Sequence, residues 1–157
     1  MKNLLKNVSI IFIFFFSTSQ AQLISVKQIL ERVDSQVVKI TVDNLVEKME
    51  SDSTFYLIDI RTEREYLAGH IQSSLWIPRG FLEFKIQKLI EDPEAEIIIY
   101  CKGGARSALA AYTLGQMGYT NIFNLEGGIR EWVRSGKKIF NELGELHVID
   151  FGKMESE

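Results

Sequence analysis

Cysteine and histidine are scarce in this chain of 157 residues, and their scarcity excludes several kinds of site. The chain has a single cysteine, Cys101, and two histidines, His70 and His147. One thiol allows neither an internal disulfide nor the Cys-x-x-Cys pair of a dithiol oxidoreductase. One cysteine and two distant histidines also fall short of the four ligands of a structural zinc site. The sequence therefore predicts no bound metal.

The chain also has no excess of positive charge. The chain has 18 lysines and arginines against 21 aspartates and glutamates, a net charge of −3. Such a balance provides no general basic field for nucleic acid, so no nucleic-acid partner is expected. The proportions of hydrophobic and charged residues, 46% and 25%, are typical of a compact globular domain. We expect one domain with short terminal extensions.

An apolar run near the N-terminus is too short to span a bilayer. A leader with two lysines, residues 1–6, precedes the apolar run at residues 8–16, and small and polar residues follow at 17–21. This order is typical of a secretory signal peptide, with small residues at the cleavage positions. An uncleaved anchor is the alternative, but a membrane span requires about 20 apolar residues. We expect residues 1–21 to be removed, the protein to be exported to a bacterial periplasm, and no membrane attachment afterwards.

Apolar periodicity divides the remainder into three parts. Residues 22–36 are a predicted N-terminal helical extension, residues 37–136 the main domain, and residues 137–157 a C-terminal tail whose structure the pattern does not predict. Within the main domain, strands are predicted at residues 37–41, 55–60, 74–77, 96–100 and 121–125, and helices at residues 43–50, 62–67, 81–90, 106–117 and 129–135. This alternation predicts an α/β fold, an open, mainly parallel five-stranded sheet flanked by helices.

The thiol lies where an open α/β sheet binds its ligands. Cys101 directly follows the apolar strand at residues 96–100, and such sheets bind ligands beyond the carboxyl ends of their strands. A helix is predicted from Arg106 onward, so the backbone after Cys101 must wrap around a helix N-terminus. Free N–H groups and the helix dipole attract anions there.

The residues between Cys101 and Arg106 favour a thiolate. They are Lys102, Gly103, Gly104 and Ala105. The two glycines allow positive φ angles that turn N–H groups inward, and the flanking Lys102 and Arg106 add positive charge. Comparable surroundings lower cysteine pKa values to roughly 3.5–7.5. We therefore predict that Cys101 and Arg106 are catalytic and that residues 102–106 bind the substrate. The alternative is a buried, inert cysteine at the end of a strand.

Five segments of the chain occur in a recognisable order. They are Asp59-Ile60-Arg61, Glu65-Tyr66-Leu67-Ala68-Gly69-His70-Ile71, Trp76-Ile77-Pro78, Cys101-Lys102-Gly103-Gly104-Ala105-Arg106-Ser107, and Leu125-Glu126-Gly127-Gly128-Ile129-Arg130-Glu131-Trp132. Over residues 40–136 they resemble the signatures of the rhodanese family of sulfurtransferases, with Trp76 at a position where asparagine is frequent in that family. One segment alone would be weak evidence, but five in register are specific.

The resemblance implies a two-step transfer of sulfane sulfur. The Cys101 thiolate would take sulfur from thiosulfate or a polysulfide and hold it as a persulfide, and a thiol or cyanide would then accept it. The resemblance implies no cofactor. An alternative is a low-turnover sulfur carrier or interaction module with a protein partner, for which the apolar residues 23–33 and 148–151 leave room.

Loop length separates this chain from phosphatases and arsenate reductases that resemble the same family. Four residues stand between Cys101 and Arg106, as is typical of the sulfurtransferases, whereas those enzymes have five. The shorter loop suits a single sulfur better than a tetrahedral oxyanion. Phosphatase or arsenate chemistry is therefore the less favoured hypothesis.

Other residues of the signatures have structural interpretations. Arg61 and Glu65 are four residues apart and could form an ion pair at the start of a helix. Asp59 and Arg61 could support the active loop, although a structural hydrogen bond from the backbone to Asp59 explains that residue equally well. We expect His70 to fix its turn by hydrogen bonding. Gly127 and Gly128 would serve backbone geometry.

Overall fold

The computed structural model describes residues 22–147, so the predicted signal peptide and the apolar residues 148–151 lie outside the described part. Within it the helices are α1 (Val26–Asp34), α2 (Val42–Glu50), α3 (Glu63–Ala68), α4 (Leu82–Leu89), α5 (Ala105–Gln116) and α6 (Gly128–Arg134). The strands are β1 (Val38–Ile40), β2 (Tyr56–Asp59), β3 (Leu75–Trp76), β4 (Ile97–Tyr100), β5 (Ile122–Leu125), β6 (Ile139–Asn141) and β7 (Gly144–Leu146). A 3-10 turn, Arg79–Phe81, precedes α4.

The first five strands form one parallel sheet in the order β1-β5-β4-β2-β3. The central strand β4 is buried along its whole length, and Ile98 lies opposite Leu57 on one neighbour and Phe123 on the other. The predicted five-stranded parallel α/β fold is confirmed. Because the strands are parallel, their carboxyl ends meet at one edge of the sheet.

Helices cover both faces of the sheet, as parallel sheets require. On one face Ile97 and Ile99 pack in a cluster with Leu82 of α4 and Leu114 of α5. On the other face Ile98 belongs to a second cluster, whose helical members come from α2 and α6: Val42, Leu45, Ile129 and Trp132. The two clusters leave the carboxyl edge of the sheet for the loops.

The segment that follows the main domain forms a β-hairpin, which the sequence pattern did not predict. Strands β6 and β7 pair antiparallel. Phe140 and His70 exchange two backbone hydrogen bonds, of 2.9 and 2.8 Å. Buried Ile139 fills the space beside Gly69, where an added Cβ would lie 2.5 Å from its Cδ1 atom. The hairpin therefore holds the turn that follows α3.

The N-terminal extension packs through one side only. A capping box at Ser25 starts α1, which lies against α5 and buries Val33. Leu23 and Val26 are exposed. Across residues 22–147, no helix combines the length and the apolar character that a membrane crossing requires.

Two helices differ from the expected pattern. The helix predicted at residues 43–50 begins at Val42, and Thr41 caps it, because the Thr41 hydroxyl accepts a hydrogen bond from the Asn44 N–H at 3.2 Å. Of the apolar residues in the helix predicted at residues 81–90, some lie in the core and others are exposed to solvent. Ile86 is fully buried, whereas Phe81 and Phe84 are 58% and 76% exposed.

Candidate active site

Cys101 lies at the carboxyl edge of the sheet, between β4 and α5. Strand β4 ends at Tyr100 and α5 begins at Ala105, so residues 101–104 form the connecting loop. Cys101 is 2% exposed. Its position at the end of a buried central strand fixes the backbone that carries the thiol.

The sulfur of Cys101 is surrounded by hydrogen-bond donors. The Gly104 N–H donates to Sγ at 3.2 Å and the Ser107 hydroxyl donates at 3.4 Å. Burial raises the pKa of Cys101, but the Ser107 hydroxyl and the N–H groups of Ser107, Gly103 and Gly104 lower it by more. The net pKa is below the ordinary value, so the loop favours the thiolate.

Gly104 is the residue that shapes the loop. It caps α5 in the left-handed conformation, with φ of +92°, which favours glycine. Its carbonyl accepts hydrogen bonds from the Ala108 N–H at 2.9 Å and the Asn124 side-chain amide at 3.2 Å. It lies 3.0 Å from the Ser107 hydroxyl, whose one proton it shares with Sγ. These bonds hold the residue whose N–H points at the sulfur.

Two residues of this network were not predicted from the sequence to belong to the site. Ser107 closes the loop signature and is fully buried, so its position after Arg106 was the available signal. Asn124 lies on β5, 20 positions from Gly104, and is 4% exposed. A polar residue inside the otherwise apolar strand Ile122–Leu125 was its only signal.

The start of α6 supports the loop from the opposite side. The Ile129 N–H donates to the Cys101 carbonyl at 2.9 Å, and the Arg130 N–H donates to the Lys102 carbonyl at 3.1 Å. Gly128 has a φ of +59°, and an added Cβ would lie 2.4 Å from the Cys101 carbonyl oxygen. This close approach explains glycine at position 128.

Arg106 forms a two-point ion pair with Glu65. Its Nη1 donates to Oε2 at 3.1 Å and its Nη2 donates to Oε1 at 2.8 Å. The Glu65 carboxylate also accepts from the Thr62 N–H at 3.1 Å in a capping box of α3. The Arg106 hydrogen bonds, above all, lower the pKa of Glu65 to about 2.

The predicted pair of Arg61 with Glu65 is wrong. Arg61 precedes the N-cap residue Thr62, so the spacing of helical neighbours does not apply to it. It turns inward and pairs with Asp59, with Nη2 donating to Oδ2 at 2.6 Å. Glu65 is left to pair with Arg106.

The Asp59–Arg61 pair is buried and serves the scaffold. Asp59 is 0% and Arg61 6% exposed. The Arg61 N–H donates to Asp59 at 2.9 Å, and the guanidinium donates to the Gly69 carbonyl at 2.7 Å. Among residues 22–147, none of the side-chain hydrogen bonds of this pair reaches residues 101–107. The pair joins the end of β2 to the turn after α3.

The structure places the remaining predicted residues at the rim. The side chain of Lys102 is exposed, and Ala105 is the exposed first residue of α5. His70 lies beyond the loop, where its ring stacks on Tyr66 at 4.0 Å and Nδ1 lies 3.2 Å from the Tyr66 carbonyl. The site therefore consists of Cys101, its loop backbone, Ser107 and the Arg106–Glu65 pair.

The sequence profile described as Rhodanese-like domain matches residues 41–135, and the chain belongs to this family. A sulfurtransferase of Allochromatium vinosum is 34% identical over 97 residues, which cover 62% of this chain and 89% of the relative. A tRNA uridine(34) hydroxylase of Hamiltonella defensa is 35% identical over 97 residues, which cover 59% of this chain. The match spans only 27% of that hydroxylase.

Solved structures have the same fold. A Rhodopseudomonas palustris protein of unknown function, described as a possible tyrosine phosphatase, superposes with a TM-score of 0.69 at 30% identity. The match covers 75% of this chain and 96% of that protein. A polysulfide-sulfur transferase of Wolinella succinogenes superposes with a TM-score of 0.64 at 28% identity, covering 74% of this chain and 87% of the transferase.

Proposed function

We propose that this protein is a sulfurtransferase that moves sulfane sulfur from thiosulfate or a polysulfide to a thiol, or to cyanide in an assay, through a persulfide on Cys101. The observation that carries this proposal is the set of donors around Sγ. Backbone N–H groups and the Ser107 hydroxyl lower the pKa of the only thiol in the chain, which is needed for attack at neutral pH.

The transfer proceeds in two displacement steps. With thiosulfate, Sγ of the Cys101 thiolate attacks the outer sulfur, a sulfur–sulfur bond forms, and sulfite departs with the electron pair of the broken bond. An acceptor thiolate then attacks the outer sulfur of the persulfide, and Cys101 departs as a thiolate. The donors that stabilise the thiolate can also stabilise the persulfide anion.

The experiment is a steady-state assay on residues 22–157 with thiosulfate and cyanide, in which thiocyanate is measured. We expect parallel double-reciprocal plots, the kinetic pattern of a covalent intermediate. Cys101→Ser should abolish turnover, with Ser135→Ala on the exposed end of α6 as the matched control. Turnover that survives the loss of Cys101 would contradict the proposal.

A second candidate function is a low-turnover sulfur carrier that docks to a protein partner. Phe81, Phe84 and Leu89 favour it, because these large apolar side chains, in and just before α4, are exposed to solvent. A carrier would form the Cys101 persulfide but pass sulfur slowly to small thiols. Fast turnover with small thiols, unchanged in Phe84→Ser, would argue for the enzyme.

We also propose that the protein is exported to the periplasm, on the basis of the signal-like pattern of residues 1–21. Expression of the full chain in a Gram-negative bacterium, followed by fractionation, tests this proposal. The expected result is a periplasmic protein that begins at Gln22. Recovery of the uncut chain from the cytoplasm would contradict it.

A further inference from the structure

Arg106, in the first turn of α5, is already paired with a carboxylate. Both terminal nitrogens of Arg106 donate to the two carboxylate oxygens of Glu65, at 3.1 and 2.8 Å. A two-point pair of this kind occupies one N–H of each terminal nitrogen. Glu65 above all, and also Cys101, raise the pKa of Arg106, so the guanidinium faces the thiolate as well as the carboxylate. An incoming substrate therefore meets a cation that already has a partner.

Glu65 keeps its negative charge under all ordinary conditions. The hydrogen bonds from Arg106, and further ones from Thr62, hold its pKa at about 2. The capping box with Thr62 fixes the carboxylate at the N-terminus of α3, so the pair does not depend on a mobile side chain. The carboxylate is a permanent negative charge next to Arg106.

Other nearby cations compensate poorly for this charge. Arg61 is buried against Asp59. The side chains of Lys102 and Arg130 are exposed at the rim, where water and salt screen their charges. Attraction for an anion therefore comes from the N–H groups that point at Sγ and from Arg106, whose charge Glu65 offsets.

We propose that Glu65 is a specificity-determining residue, which makes the site prefer sulfur donors with one negative charge, such as organic persulfides, over dianionic donors such as thiosulfate. This inference rests on the proposed function and sharpens its substrate class. The repulsion between a fixed carboxylate and the donor scales with the charge of the donor. A dianion is therefore penalised more than a monoanion at the same site.

Two sulfur donors that react through the same kind of outer sulfur but differ in net charge show the effect of donor charge on the rate. Thiosulfate is a dianion and loses sulfite when the Cys101 thiolate takes its outer sulfur. Methanethiosulfonate is a monoanion and loses methanesulfinate in the same displacement. Each reaction forms one sulfur–sulfur bond to Cys101 and breaks one, and the leaving group takes the electron pair. The values of kcat/KM for the two donors can therefore be compared directly.

The test compares Glu65→Gln with the parent protein for both donors. Glutamine keeps one acceptor oxygen, which is enough for the capping box with Thr62, so the change removes the charge together with one of the two hydrogen bonds from Arg106. We expect kcat/KM to rise about tenfold for thiosulfate and about threefold for methanethiosulfonate, since the second donor has half the charge. Glu63→Gln, at an exposed position of the same helix, is the control and should change neither value.

Equal changes for the two donors in Glu65→Gln, in either direction, would overturn the inference and leave Glu65 with the role of holding Arg106 in place. A shift of similar size in Glu63→Gln would also overturn it, because the effect would then be one of net charge. If neither donor yields a Cys101 persulfide in the parent protein, the proposed function itself fails. The mass of the protein after exposure to each donor separates that failure from the first two.

Discussion

Two of the arginine–carboxylate pairs, Asp59–Arg61 and Glu65–Arg106, differ in burial and in purpose. Asp59 and Arg61 are 0% and 6% exposed and hydrogen bond within the scaffold. Arg106 and Glu65 have side chains that are 42% and 30% exposed, and they lie beside the candidate nucleophile. The comparison indicates that the buried pair maintains the turn after α3, whereas the exposed pair sets the charge of the site.

The largest expected effect is on stability, and it should separate the two pairs. Asp59→Asn leaves the buried guanidinium of Arg61 without its counter-charge, so the free energy of unfolding should fall by about 3–5 kcal/mol. The equivalent change Glu65→Gln should cost less than about 1 kcal/mol, because that pair is partly exposed. Urea denaturation measures both. Similar losses in the two variants would show that burial does not distinguish the pairs.

A smaller loss of stability is expected when the hydrogen bond between β5 and the loop is removed. Asn124→Ala removes the amide that donates to the Gly104 carbonyl, which should lower the free energy of unfolding by about 1–2 kcal/mol. Asn121→Ala is the matched control, since its amide makes only a long 3.5 Å contact near the surface. A greater loss in the control would contradict the assigned role of Asn124.

The pKa of Cys101 tests which groups stabilise its thiolate. Ser107→Ala removes the hydroxyl that lowers the pKa of Cys101, so the pKa should rise and less thiolate should be present at neutral pH. Glu65→Gln should move it the opposite way, because the charge of Arg106 is then less compensated. The rate of alkylation by iodoacetamide against pH measures both shifts. A rise in Glu65→Gln would contradict the charge balance described for the exposed pair.

The smallest expected effect is the response to acid. Because its pKa is lowered to about 2, Glu65 contributes stability that is present above its unfolded pKa of about 4.5 and is lost as the pH falls through about 2. Glu65→Gln should remove this part of the dependence on pH. Thermal unfolding between pH 5 and pH 2, roughly the window in which this carboxyl titrates, measures it. An unchanged profile in the variant would show that the pair contributes no stability.

Features that depend on neighbouring residues could be predicted from the sequence. Cys101 follows a strongly apolar strand and precedes two glycines and a helix, so its position at the edge of the sheet followed from local pattern. The five strands and their mainly parallel direction were predicted in the same way, whereas their order in the sheet was not. The helix predicted at residues 62–67 is also present, as α3, and Thr62 is its cap.

Features that depend on distant pairing could not be predicted. Glu65 and Arg106 are 41 positions apart, and local spacing favoured Arg61 as the partner. That rule failed because Arg61 lies just before the helix. The β6–β7 hairpin consists of two strands of three residues each, which give too short an alternation to detect. Its position depends on Gly69 and His70, which lie far away in the sequence.

The mass of the Cys101 peptide after brief exposure to a sulfur donor tests the central claim most directly. Residues 22–157 would be treated with methanethiosulfonate, digested and measured with and without a following thiol. The account predicts one added sulfur atom on Cys101, its removal by the thiol, and no addition in Cys101→Ser. A Cys101 thiol that is readily alkylated but gains sulfur neither from methanethiosulfonate nor from thiosulfate would contradict the claim.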